Sequence, residues 1–271
     1  MKEQDSFSVR TAFDTFAASY HNGFRLNLLA TYARRRVWAA SDGLCTSGDL
    51  VADLGCGAGA DVVRFARRGV HVLAVDISPA MVMEAKTRRW KDKLCTGKTE
   101  FICLDLNQAN LADYLGHRLL DGVVLSFGVI NFISKPLNLF RQISDVLRPG
   151  GFILVGTYNR WCLIDLLFSV VGWRSIPTRW RRQPSNYAIC GVATRAWARS
   201  EAEIIRALPA DLILTDSFAV GSIAPPAYAD SILRKRAVVR KILWRLDRTL
   251  ERTALARLLS DFVWIQARKR G

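Results

Sequence analysis

Four residues with the spacing of a ligand cradle stand in VADLGCGAG (51–59): Asp53, Gly55, Gly57 and Gly59. A glycine after a strand lets the chain turn sharply and lets a ligand touch main-chain atoms that a side chain would cover. A helix that starts there points its free N–H groups at the bound molecule. Cys56 sits between the glycines and belongs to the same bed. Asp76, at the end of the next apolar run, suits a ribose, because a carboxylate in that place accepts both hydroxyls. Nucleotide-binding folds of several kinds share that acid, so Asp53 has to discriminate among them. A carboxylate facing a pyrophosphate would repel it, whereas one facing an ammonium group would attract it.

Such a cradle needs a parallel sheet to hold it. From position 49 the sequence alternates β-rich runs with helical patterns, the rhythm of βαβ units. Strands are expected at LVADL, VHVLAVD, EFICLD, GVVLSF and GFILVGTY, with helices over 60–68, from Ser78-Pro79 through Lys86, and over 136–147. Gly69 stops the first helix in a left-handed C′ position, and Ser78 caps the second ahead of Pro79. After Thr157 the rhythm breaks, and residues 159–196 read as an insertion over the C-terminal edge of the sheet. Two more strands, DLILTDSF and DFVWIQARKR, enclose a basic amphipathic helix or helix pair at 229–259. Its apolar face carries Val239, Ile242, Leu243, Leu246 and Leu250, and nine Lys/Arg face away from it as a solvated surface. The expected organisation is one α/β domain: a helical lid (1–48), a cofactor-binding core (49–158), a substrate-capping insertion (159–196) and a C-terminal part of the sheet (197–271).

A chain of 271 residues can bury a full core. Its net charge of +15 points to anionic partners such as nucleic acid, a membrane surface or an acidic substrate, or to a plain basic surface. The six cysteines form no CxxC pair, which signals neither a zinc site nor a disulfide framework. The mixed charges of MKEQDSFSVR do not read as a secretory signal, and the longest apolar run, at 161–173, is too short to span a bilayer. The expectation is a cytoplasmic protein, with peripheral contact to an anionic membrane left open.

The stretches VADLGCGAG, VLAVDISPAMV, FICLDL, DGVVLSFGVINFI and LRPGGFILVGTYN, in that order, resemble successive motifs of the class I S-adenosylmethionine-dependent methyltransferases, of the small-molecule type. The resemblance covers roughly residues 49 to 158. It implies a Rossmann-like, mostly parallel seven-stranded sheet with helices on both faces and an antiparallel last strand, and S-adenosylmethionine as the cofactor. It implies that Asp53 and the backbone from Gly55 through Cys56 and Gly57 to Gly59 hold the methionine end. Asp76 takes the ribose hydroxyls, Ile77 packs on the adenine with Met81 nearby, and Asp105 and the amide of Leu106 meet its polar edge. Ser126 and Phe127 line the channel to the sulfonium, and FDTFAASY (13–20) resembles a lid that brings Phe13 or Tyr20 over the cofactor.

A sulfonium methyl is already activated, so alignment of nucleophile, methyl and sulfur is the main requirement. The candidates for contact with the acceptor are His21, Asn131, Tyr158 and Asn159, with His21, Tyr158 and Asn159 as the catalytic set and Asn131, Trp161 and Trp173 as substrate contacts. An exocyclic-amine methylase would carry an Asn/Asp-Pro-Pro-aromatic turn where this chain has Ser126-Phe127-Gly128-Val129, and a pyrimidine C5 methylase a Pro-Cys pair that it lacks. Carboxylates for a metal-dependent transfer are missing after the fourth and fifth strands, so no metal is expected. The reading is a methyltransferase acting on an oxygen or carbon of a small, hydrophobic metabolite: a quinone, lipid or secondary metabolite. Its rivals are an RNA methyltransferase, motivated by the charge, and a non-catalytic S-adenosylmethionine-binding subunit.

Overall fold

Branched apolar runs form five parallel strands: β1 (Leu50–Leu54), β2 (His71–Asp76), β3 (Thr99–Cys103), β4 (Leu120–Leu125) and β5 (Leu147–Tyr158). Their side chains are largely buried on both faces except in β3, which is an edge, and at Arg148 and Pro149 near the start of β5. The computed structural model describes residues 3–171, 178–180 and 184–271, without the side chains of 3, 4, 18–26, 178 and 232.

Helices α1 (Glu3–Leu26) and α2 (Leu28–Ser41) precede the sheet; α3 (Ala60–Arg67), α4 (Pro79–Lys91), α5 (Ala112–Leu115) and α6 (Pro136–Val146) connect its parallel strands. Past β5 come α7 (Leu163–Val170), the hairpin β6 (Ser185–Ile189) and β7 (Val192–Ala196), α8 (Glu201–Ala207) and β8 (Leu212–Val220). The chain closes with α9 (Asp230–Arg234), α10 (Ala237–Leu250), α11 (Ala254–Leu259) and β9 (Phe262–Lys269). The sheet order is β3-β2-β1-β4-β5-β9-β8, with β9 antiparallel to both β5 and β8. One core, around Leu54, Leu125, Phe140 and Ile265, lies on one face, and another, around Val37, Phe65, Phe152 and Trp264, lies on the other. The doubly wound α/β architecture with seven strands is as the motifs imply.

Local chemistry sets the helix ends. Ser78 Oγ accepts from the Met81 amide at 3.1 Å with Pro79 in the first turn, and Gly69 takes φ +79° just after α3. The α1 helix is pinned across the start of α4, because Asp14 accepts from Ser78 Oγ at 2.6 Å and from the Ala80 amide at 3.2 Å.

The stretch 229–259 differs from expectation. It is three helices, and on α10 the only fully buried residue is Asp247. Its carboxylate accepts from the amides of Gly221, Ser222 and Ile223 and from the Ser222 and Tyr32 hydroxyls, at 2.7–3.1 Å. An acid that satisfies so many backbone donors must face inward. The apolar residues on the other side, among them Val239, Ile242 and Leu246, are consequently turned to the outside.

Candidate functional site

At the C-terminal ends of the strands, where the order reverses between β1 and β4, lies a cleft enclosing about 860 Å³. Open parallel sheets bind ligands at such a switch point. Eleven residues singled out from the sequence meet there, Phe13 of α1 among them. Gly55, Cys56 and Gly57 come from the turn after β1, and Asp76, Ile77 and Met81 from the end of β2 and α4. Asp105 and Leu106 follow β3, and Ser126 and Phe127 follow β4. Gly55 has φ +79°, and a Cβ there would stand 2.2 Å from Val129 Cγ2, so no other residue fits that turn. The turn is tied down from β2, where the Val75 carbonyl accepts from the Gly55 and Cys56 amides and Asp76 Oδ2 accepts from the Gly57 amide at 2.8 Å.

The electrostatics of the cleft favour a cation. Asp53 is 1% exposed, and neither of its carboxylate oxygens has a hydrogen-bond partner. Burial, then the charge of Asp61, pushes its pKa well above the usual carboxylate range, and Arg34 opposes them. Asp76 is raised by burial too, against hydrogen bonds from the Ser78 and Gly57 amides. Arg34 is engaged with Asp61 at 2.8 Å and lies 4.5 Å from the Phe127 ring centroid. Asp105 Oδ1 accepts from the Asn107 amide, while Oδ2 is buried without a partner, and so is Ser126 Oγ. Asp105 and Ser126 line the cleft, whereas Asp53, two residues before Gly55, does not. Buried polar atoms are nearly always satisfied, so these orphaned oxygens mark places where a ligand's donors belong. An ammonium group suits Asp53, and an exocyclic amine suits Asp105 Oδ2; S-adenosylmethionine carries both.

A second cavity of about 1000 Å³ adjoins the first, and Phe13 and Phe127 line both. Phe127 has φ +50°, an uncommon conformation for a bulky residue, and its ring meets Trp264 edge-on at 5.5 Å. The walls are mostly apolar, with Leu29, Tyr32, Tyr158, Tyr228 and Phe262 among them. Arg179 lies over the Tyr158 ring at 3.8 Å and joins Asp261 at 3.0 Å and Asp165 at 2.5 Å. The Tyr228 hydroxyl donates to Asp165. Burial raises the Tyr158 pKa, which disfavours its phenolate.

Other residues singled out from the sequence have different places. Gly59 does not line the cleft; a Cβ there would stand 2.8 Å from Ala85 Cβ, so its role is the close packing of α3 on α4. Asn131 is buried and lines neither cavity, and its amide bonds Thr157 Oγ1, the Tyr158 backbone and the Trp197 carbonyl. Asn159 is likewise a strut, donating to the carbonyls of Arg257 and Leu258. Trp161 is 40% exposed against Trp180 and also lines neither cavity. The side chains of Tyr20 and His21, and all of Trp173, lie outside the described residues. Sequence reasoning missed Asp61 and Arg34 beside the glycines. An acid in a helix's first turn is too common a signal, and Arg34 comes from another element.

Residues 51–151 match the family described as "Methyltransferase domain". The chain is 27% identical over 146 residues to the mitochondrial ubiquinone biosynthesis O-methyltransferase of Schizosaccharomyces pombe, an overlap of 54% of this chain and 48% of that one. It is 27% identical over 206 residues to the demethylmenaquinone methyltransferase of Thermobifida fusca, covering 72% of this chain and 82% of that one. The chain spans about half the length of several of the curated relatives it matches. Among solved structures, magnesium protoporphyrin IX methyltransferase from Synechocystis, with bound S-adenosylhomocysteine, superposes with a TM-score of 0.55 at 16% identity, covering 98% of this chain and 99% of that one. The motifs stand on their strands, the glycine turn lies under the cleft, and residues 51–151 match a methyltransferase domain over that same stretch, on a fold shared with the magnesium protoporphyrin IX methyltransferase.

Proposed function

We propose that the protein moves the methyl group of S-adenosylmethionine to an oxygen or carbon of a small, hydrophobic acceptor of the hydroxylated quinone type. The observation that carries this is the set of buried, unpartnered oxygens of Asp105 and Ser126 in a glycine-lined cleft and of Asp53 just before its glycine turn, with a second, largely apolar cavity sharing Phe13 and Phe127 with that cleft. The cofactor supplies an activated methyl, and the chain supplies geometry. Asp53 receives the ammonium, Asp76 the ribose, and Asp105 the adenine amine. Phe127 and Phe13, shared by both cavities, stand where methyl and acceptor meet and keep water from the line of transfer. Tyr158 donates a hydrogen bond to the acceptor and orients it. Alignment of this kind supplies about 7–11 kcal/mol towards the barrier. That two of the relatives are quinone methyltransferases supports the acceptor class.

The test is calorimetric titration with S-adenosylmethionine, S-adenosylhomocysteine and NADH, alongside Asp76→Ala, followed by transfer of labelled methyl to hydroxylated quinols. The expected result is binding of the two sulfur ligands only, weakened in the variant, with label on the quinol. Binding of NADH alone, or label appearing on RNA and on no small acceptor, would overturn the reading.

A further inference from the structure

We propose that α10 is the face by which this protein docks on an anionic phospholipid bilayer, so that its acceptor reaches the second cavity from the membrane. This rests on the reading of that cavity as the acceptor site. At 3.6 residues per turn, Val238, Ile242 and Leu246 form one exposed stripe of α10, widened by Val239 and Leu250. Their exposures run from 38% for Leu250 to 71% for Val238, unusual for a helix carrying so much apolar surface. The adjoining stripe is Lys241, Arg245 and Arg248, which form no salt bridge among the described residues. Both acids within 237–251 are withdrawn: Asp247 is buried under backbone donors, and Glu251, just past the helix, is held by Arg36 at 2.6 Å. The outward face is therefore apolar and cationic with no compensating charge, the composition that seats a helix in the headgroup layer of an anionic leaflet.

The same helix is tied to the cavity. A groove enclosing about 970 Å³ runs between α2 and α10, lined by Lys241, Arg245, Arg248, Trp244 and Tyr32. Tyr32 stacks on Trp244 at 4.9 Å and also lines the second cavity, so one ring separates the basic groove from the acceptor space. On α7, Leu167, Val170 and Val171 at its end are exposed too, and Phe168 packs on Tyr228, another wall of that cavity. Among the described residues no helix is long and apolar enough to cross a membrane, so the contact is peripheral.

Sedimentation with vesicles tests this, comparing phosphatidylcholine alone with equal parts phosphatidylcholine and phosphatidylglycerol. The protein should pellet with the anionic vesicles only, and high salt should release it. Lys241→Glu/Arg245→Glu/Arg248→Glu should weaken partitioning by roughly a hundredfold or more. Val238→Ser/Ile242→Ser/Leu246→Ser should also lose it, and both variants should keep wild-type affinity for S-adenosylmethionine, which shows that they are folded. Equal binding of wild type and charge-reversed protein, binding to neither vesicle, or a dimer dispersed by the serine substitutions in a protein that ignores vesicles would each overturn the proposal. Transfer to an acceptor dispersed in neutral detergent, measured on the same variants, reads the catalytic assignment separately from docking.

Discussion

Replacing Asp53 by Asn should move stability and cofactor affinity in opposite directions. The carboxyl is buried at 1% exposure with both oxygens unpartnered, and burial together with Asp61 raises its pKa. In the unfolded chain it ionises near its ordinary value of about 3.9. Between that pH and the raised folded value the native state holds the extra proton, so this group's contribution to stability falls as pH rises through the window. Above the window, an ionised and unsatisfied buried group costs about 1–3 kcal/mol. Asn keeps the shape and carries no charge. For a gain of about 2 kcal/mol, the ligand-free variant should melt roughly 4–8 °C higher at neutral pH by differential scanning calorimetry. Its affinity for S-adenosylmethionine should drop by roughly 30-fold or more, since a lost partner for a desolvated charge costs about 2–5 kcal/mol. Below the raised pKa, wild-type binding should also release a proton, seen as a dependence of the calorimetric heat on buffer ionisation enthalpy that the variant lacks. A variant that melts lower and binds the cofactor unchanged would refute the assignment of Asp53 to the ammonium group.

Arg179→Met leaves Asp261 and Asp165 buried without their shared cation, so the protein should lose about 3–5 kcal/mol in urea unfolding at neutral pH. Burial already raises the Asp261 pKa, so the loss should shrink as pH falls and that carboxyl takes up its proton. Asn131→Ala removes a buried strut that contacts neither cavity, and should lower the melting temperature while the KM of the retained activity stays unchanged. A raised KM with unaltered stability would return Asn131 to the substrate site.

The order of strands and the glycine turn were legible in the sequence because both rest on local chemistry. Short continuous apolar runs, a Ser-Pro helix start and a positive-φ turn that only glycine fills at Gly55 each operate within a few residues. Asp76 and Asp105 reach the cleft because they stand at strand ends whose positions the topology dictates. Three things were decided only by the tertiary structure. Gly59 is a packing glycine because Ala85 approaches it from another helix. Asn131 and Asn159 are struts because buried carbonyls far along the chain need donors. The apolar stripe of α10 looks the same on paper whether it faces the core or the outside. One carboxylate, Asp247, turns it outward by satisfying backbone donors at Gly221, Ser222 and Ile223, more than twenty residues away. Amphipathic periodicity tells that a helix has two faces; which face meets the body depends on hydrogen-bonding partners that only the folded chain brings near.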